Sequence, residues 1–451
     1  VNTMNNASDP TEEPRFEEFS DLPPHERLAL QSGVVMRLGL ALLGSGAGAF
    51  RVKDSMSRLA HAVGIESHRG QVTFTEITTT SFANGTFRTE IGETRRAGVD
   101  ADKIDRLREF VRGLRPGMSV EDAHAALDEI ESARPLYGAV ANMLAAAFAC
   151  AGFAFLNKGG LVECLVVFFA ALVGQATRRQ MMHRHMNHFG VWMLCGALGT
   201  LIYTSFVTAL NWFGWVDHNH QAGVISAILF LVPGFPLVTG ILDLVRMDLL
   251  AGITRLSYVT VLLASTGIAV WAVSASLHWD VNPSVGPELS PVVLNLLRIL
   301  ASFIASFGFA MLFNSPLKVA SAAAGIAAVT NTGRLLLVDH TAIVSQAAVG
   351  LAALFIGLLA SLLSILWRYS RVTLSVPAVV IMIPGVPLYR ALTAMSNGEV
   401  TSALAQVVQV VFVVCAIGVG LAVSRMITDR GWAFDQDTTR TRRIFTDVAA
   451  R

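Results

Sequence analysis

Ten apolar runs dominate the chain from Tyr137 onward, near residues 137–156, 161–177, 189–210, 222–242, 256–277, 291–313, 316–330, 341–366, 373–393 and 400–424. Most approach the ~20 residues that a helix needs to cross a ~30 Å hydrocarbon core. They predict a mainly α, polytopic membrane protein. Composition agrees: 53% of the 451 residues are hydrophobic and 15% charged, and the mean hydropathy is +0.54, outside the range of ordinary soluble domains. A formal net charge of +1 gives no reason to expect nucleic acid as a partner; the lipid bilayer is the partner these runs imply. Cys150, Cys164, Cys195 and Cys415 all fall inside apolar runs, where they read as small buried apolar side chains rather than disulfides.

Ahead of the runs the chain is soluble in character. Residues 1–25, acidic and without an apolar signal region, predict a disordered cytoplasmic tail. Residues 26–134 predict a small cytoplasmic α+β domain. It would hold two amphipathic helices, the second closed by Gly64, then a hairpin around Asn84-Gly85, then helices near 100–112 and 119–132 with Ser119 as a cap. Residues 137–280 and 290–425 each carry five runs, and residues 426–451 form a polar tail. Lys and Arg counts give the orientation. With the N-terminus inside, inward links hold Arg178, Arg179, Arg184, Arg246, Arg255, Lys318, Arg368 and Arg371, against Lys158, Arg334 and Arg390 outside. That asymmetry predicts both termini in the cytoplasm, and the expected location is the inner (plasma) membrane.

The fourth and ninth runs are interrupted alike. "FLVPGFPLVTGIL" (Phe230 to Leu242) and "IMIPGVPLYRAL" (Ile381 to Leu392) share Pro-Gly-x-Pro-Leu at an offset of 151. "GFAFLNKGGL" at Gly152 and "GFAMLFNSPL" at Gly308 link the first and sixth runs at an offset of 156, and the missing residues are assigned to "RRQMMHRHMNH". An odd number of spans per repeat forces the second copy to enter the membrane inverted, a signature of secondary transporters with the substrate site at the repeat interface. Pro233 and Pro384 each remove a donor and clash with the carbonyl four residues earlier, so the carbonyls of Leu229, Val232, Val380 and Ile383 are expected to lose helical partners. Gly234 and Gly385 permit a turn or a close approach. Pro236 and Pro387 suit the first turn of a new half-helix, whose N-terminal donors favour an anion. A plain proline kink is the competing reading.

Ionisable groups within membrane segments are functional hypotheses by default. Asp243 reads as a proton-coupling or amine-binding carboxylate, or as a helix end paired with Arg246. Glu163 reads as a second proton-coupling group, or as a carboxylate favoured by its helix N-terminus. Asn142 and Arg298 are equivalent at the 156 offset. Arg298 needs an anionic or carbonyl partner, which a substrate carboxylate would supply unless the side chain snorkels outward. Gln409, with Gln406, would bond substrate or join helices, and Arg390 would be a mouth residue or an interfacial anchor. His183, His185, His188, His218 and His220 lack the closed spacing of a metal site, and no cofactor is expected. No Walker, HExxH or GxSxG motif occurs, and "GSGAG" at Gly44 follows no strand, which speaks against an ATP-driven pump and common hydrolases.

The segments "GAFRVKDSMSRLAHAVGI", "VTFTEITTTSFANGTFRTEI", "VDADKIDRLREFVRGL" and "SVEDAHAALDEIE", followed by ten runs with "VPGFPL" and "IPGVPLYRAL", resemble the threonine/serine exporter family from about Glu26 to Arg425. The resemblance implies a non-enzymatic secondary exporter of small hydrophilic amino acids, threonine and serine first, driven by the proton motive force. Substrate would bind between the halves, near Pro233, Gly234, Pro236, Pro384, Gly385 and Pro387, with access alternating as one half rocks on the other. The resemblance also implies that some bacteria split the protein in two, with a dicarboxylate such as succinate as the reported substrate class. A dicarboxylate exporter, and a channel or membrane sensor using the soluble domain, therefore stay open. A homo-oligomer is compatible with each.

Overall fold

The computed structural model describes residues 22–94, 98–215, 223–279 and 286–433. The chain up to residue 21, His218, His220 and the arginines from Arg440 onward lie outside the described residues. Helix α1 (Pro24–Gly44) and α2 (Ala49–Ala62) precede an antiparallel sheet of β1 (Ser67–Val72), β2 (Glu76–Ala83) and β3 (Thr86–Glu93) in that order, then α3 (Ala101–Gly113) and α4 (Val120–Ser132). The hairpin turns at Asn84-Gly85, with φ of 50° and 74°, and pairs Ala83 with Thr86, the geometry this dipeptide favours. Asp100 and Ser119 cap α3 and α4 by accepting from the N–H groups of Lys103 and Asp122. Helix α1 is long and apolar enough to cross a membrane, yet it packs on α2, β2, β3 and α4. Its Arg37 is held by Asp128 (2.5 Å) and Glu131 (2.7 Å), which ties α1 to α4.

The apolar runs follow as α5 (Ala139–Leu156), α6 (Leu161–His183), α7 (His188–Trp212), α8 (Gly223–Ala227), α9 (Gly234–Val245) and α10 (Leu249–Ser276). The second set is α11 (Pro291–Leu312), α12 (Leu317–His340), α13 (Ser345–Trp367), α14 (Arg371–Val380), α15 (Gly385–Ser396) and α16 (Val400–Thr428), closed by the short α17 (Arg430–Ala433). Among the described residues nine helices, α1 included, are long and apolar enough to cross a membrane. The fourth and ninth runs are instead broken, α8 from α9 through a 3-10 turn at Leu229–Leu231, and α14 from α15 with a bend of 52°. Helices α6 and α12 outrun their expected ends, so Arg178, Arg179 and Arg334 are helical rather than in links, and α10 starts early enough to include Arg255. Apolar runs stop where Gln, Asn and Arg begin, but helices need not.

The two sets pack alike. The neighbours α5 with α6, α6 with α7, α7 with α10, α9 with α10, and α8 with α5, α6 and α7 recur as α11 with α12, α12 with α13, α13 with α16, α15 with α16, and α14 with α11, α12 and α13. One expectation is corrected. The links 184–187 and 341–344 are equally short, with the same offset of 157 before them (His183 to His340) and after them (His188 to Ser345), so the change in offset falls after the start of α7 and not at "RRQMMHRHMNH". The sets meet antiparallel. A Cβ on Gly152 would stand 2.9 Å from the Ala301 carbonyl oxygen and 3.3 Å from Ala305, while one on Gly308 would meet the Ala145 carbonyl oxygen and Ala149. All three position pairs keep the 156 offset, and partners descend along α11 as they ascend along α5. Only residues without a side chain let these two backbones come so close.

Candidate functional site

The two breaks have one geometry. Pro233 (φ −77°, ψ 61°) and Pro384 (φ −81°, ψ 68°) each precede a twelve-residue half-helix, with Pro236 and Pro387 in its first turn. The carbonyls expected to lose partners are recovered locally: Leu229 and Val380 accept from the N–H groups of Val232 (2.9 Å) and Ile383 (3.1 Å), and Val232 and Ile383 accept from Gly234 (2.8 Å) and Gly385 (2.9 Å). The Gly234 and Gly385 donors are thus used within the turns and not free for an anion. The breaks also cross. A Cβ on Gly234 would meet Val380 at 2.6 Å, and one on Gly385 would meet Leu229, the counterpart of Val380 at the 151 offset, at 4.0 Å. A cavity of about 50 Å³ lies against them, lined among others by Leu229, Thr266, Gly385 and Tyr389. That is far below the ~300 Å³ typical of a small-molecule site, so the halves are closed on each other here.

A polar constellation buttresses the first break, and two of its positions are polar again in the second half. Arg178 on α6 donates to the Phe230 carbonyl (3.0 Å) and lies 4.4 Å over the Trp192 ring, and Trp192 Nε1 donates to the Leu231 carbonyl (2.5 Å). Gln175, one turn earlier, donates to Asn142 Oδ1 (2.7 Å). At the 156 offset, Gln175 maps to Asn331 and Arg178 to Arg334. Asn331, fully buried, donates to Ser302 Oγ (2.9 Å) and accepts from Arg334 Nε (2.9 Å). Sequence reading missed Gln175, Arg178, Asn331 and Arg334. The offset that linked Asn142 to Arg298 would have found all four.

Other expected site residues are placed apart from the breaks. Arg298 pairs with Asp339 of α12 at 2.6 Å, so its anionic partner is supplied by the chain rather than by a substrate. Glu163, 2% exposed, accepts from the Gly160 N–H (2.9 Å) and closes the N-terminal cap of α6, the electrostatic role its position favours. Asp243 does not pair with Arg246, whose guanidinium stacks on Phe50. It accepts from the Ala49 N–H (3.0 Å) and faces Arg255 Nε at 3.8 Å, both side chains almost wholly buried. Arg255 donates to Thr239 Oγ1 (2.6 Å) and to the Gly46 and Ala47 carbonyls (3.3 and 3.1 Å). Asp243 and Arg255 therefore clamp the start of α2 to α9 and α10. Arg390 and Gln409 lie half-buried on α15 and α16. Among the described residues no three His, Cys, Asp or Glu side chains gather as a metal site.

Broken spans crossing between two antiparallel halves define a polytopic helical membrane protein. The chain belongs to the threonine/serine exporter family: residues 33–277 match the family described as "Putative threonine/serine exporter", and residues 298–427 match "Threonine/Serine exporter, ThrE". The chain is 24% identical over 418 residues to a "Probable threonine/serine exporter" of Mycobacterium tuberculosis, covering 89% of this chain and 77% of that protein. It is 24% identical over 248 residues to a "Probable succinate transporter subunit YjjP" of Klebsiella aerogenes, covering 55% of this chain and 93% of that protein. The corresponding Escherichia coli K12 protein is 23% identical over 239 residues, covering 52% and 90%. No solved structure matches the chain.

Proposed function

We propose that the protein is a secondary active exporter of small hydrophilic amino acids, threonine and serine first, working by alternating access in the inner membrane with both termini cytoplasmic. The reciprocal crossing of the Pro233-Gly234 and Pro384-Gly385 breaks carries this reading. Broken spans related by an inverted repeat are where secondary transporters place their substrate, and the narrow cavity there fits a state closed around that point. The M. tuberculosis relative bears the matching name. Proton motive force would supply the drive. Arg178 and Trp192, by holding the carbonyls that end the first half of the broken span, would keep the break in register.

A second reading, export of a dicarboxylate, is favoured by the relatives named as succinate transporter subunits. Vesicles loaded with threonine, serine or succinate separate the two, with efflux followed against a gradient and with a protonophore. Uphill threonine or serine efflux that the protonophore abolishes is the expected result, with loss of efflux in Pro233→Ala and Pro384→Ala. Efflux that only equilibrates would mark a channel, and uphill efflux retained in both variants would move the site elsewhere.

A further inference from the structure

A second cavity, of about 430 Å³, lies where the soluble layer meets the ends of α9, α14 and α16. Arg51, Arg108 and Arg112 line it from the soluble side, and Arg246, Arg371 and Arg425 from the membrane side. The carboxylates on its wall are already committed. Asp54 pairs with Arg58 (3.1 Å), Asp429 with Arg371 (3.7 Å), and Asp243 faces Arg255 (3.8 Å). Asp105, beside the wall, accepts from the Ser370 N–H (2.7 Å) and the Thr373 hydroxyl (3.1 Å). Most of the guanidinium groups have neutral partners. Arg51 donates to the Ser370 hydroxyl, and Arg108 to the Arg368 carbonyl (3.1 Å). Arg112 donates to that same carbonyl (3.0 Å), with surface Glu109 at 3.8 Å, and Arg425 lies 5.2 Å over the Trp432 ring. Burial, then the neighbouring Arg51 and Arg112, pushes Arg108 down to about 10, and burial pushes Arg51 down as well. Among the described residues, Arg51, Arg108 and Arg425 meet no carboxylate within 4 Å, so like charges crowd on this wall.

We propose that this cavity binds a compact phosphoryl anion of two or more negative charges, gripped between the soluble layer's arginines and those of the membrane helices. The guanidinium fork matches phosphate oxygens bidentately, and the volume is that of an ordinary small-molecule site. The same chemistry arrives free in solution or as a lipid headgroup. Either occupant ties α2 and α3 to α9, α14 and α16, and so bears on how freely the broken fourth span moves. Nothing in this depends on which solute is exported.

The test uses the full chain in phosphatidylcholine nanodiscs, with the thermal unfolding midpoint followed against pyrophosphate and against succinate, and again in discs containing phosphatidylglycerol. Pyrophosphate is expected to raise the midpoint. Arg425→Gln and Arg108→Gln are each expected to weaken that response roughly tenfold in concentration. Arg115→Gln, exposed and outside the cavity, should leave it intact. A midpoint raised by phosphatidylglycerol and then unresponsive to pyrophosphate assigns the site to the headgroup, and a response in both discs assigns it to the free anion. The proposal is overturned if neither anion source raises the midpoint, if succinate does so at least as well, or if Arg115→Gln loses the response as fully as Arg425→Gln. Should Arg425→Gln fail to fold, Arg108→Gln decides by the same comparison.

Discussion

Asp243 and Arg255 face each other at 3.8 Å with side chains 5% and 1% exposed, 12 positions apart on adjacent helices and joined to the backbone of residues 46–49. The pair fastens the start of α2 to the second half of the broken fourth run. Removing one member of a buried pair strands the other charge, at a cost of ~3–5 kcal/mol. Asp243→Ala is therefore expected to lower the unfolding midpoint sharply. Asp243→Asn, which still accepts from the Ala49 N–H, should lower it less, and Asp243→Asn with Arg255→Met should recover part of the loss. Equal midpoints for Asp243→Ala and wild type would show that the clamp does not hold.

Gly152 and Gly308 test the antiparallel packing of the two halves. A side chain at either would meet a carbonyl oxygen of the opposite helix, and backbone cannot give way as a flexible side chain can. Gly152→Val and Gly308→Val are expected to destabilise by ~1–3 kcal/mol or more, read as a lower unfolding midpoint and less folded protein in the membrane. Gly325→Ala, with nothing within 4 Å of its added Cβ, is the control. There the better helix propensity of alanine, ~1 kcal/mol, should appear as a gain.

The sequence made these halves legible through periodic features. Each of the ten apolar runs falls on helix, Asn84-Gly85 located the hairpin, and the repeated Pro-Gly-x-Pro-Leu located both breaks, whereas the membrane-length apolar helix α1 was not among the runs. What stayed hidden depends on tertiary geometry. Asp243 has Arg246 as its obvious helical neighbour, but α2 brings Phe50 to Arg246 and Ala49 to Asp243 from nearly 200 positions away. Arg178 and Arg334 read as link charges because hydropathy falls before a helix ends, although each lies inside its helix with partners in the protein. Arg298 looked unpaired because Asp339 is remote in sequence and lies on another helix.

Arg178 is the residue through which the first break is expected to respond most. Arg178→Gln leaves the Phe230 carbonyl without its charged donor, an interaction worth ~1.5–3 kcal/mol. Efflux should fall roughly tenfold or more if the break must hold its shape during transport. Arg334→Gln, its counterpart against Asn331, should reduce efflux in the same direction, while Arg184→Gln, past the end of α6, should not. Unchanged efflux in both helical variants would separate this constellation from transport.

His68 on β1 gives the sheet a defined acid sensitivity. Its Nδ1 lies 2.9 Å from Ser81 Oγ, and its Nε2 is enclosed without a hydrogen-bond partner among the described residues. Burial, then nearby His61, lowers its pKa from 6.5 to about 4. The unfolded chain therefore takes up this proton first as pH falls. Stability that is full above about 7 should decline through 6.5 and level off below about 4. At ~1.4 kcal/mol per pKa unit, and allowing for partial exposure, the loss is about 2 kcal/mol. Unfolding midpoints at pH 7 and pH 5 capture more than half of it: wild type should lose stability between them, and His68→Gln, with no group to titrate, should lose less. The same drop in both proteins would assign the acid sensitivity to carboxylates elsewhere, since those too lose native contacts as they protonate.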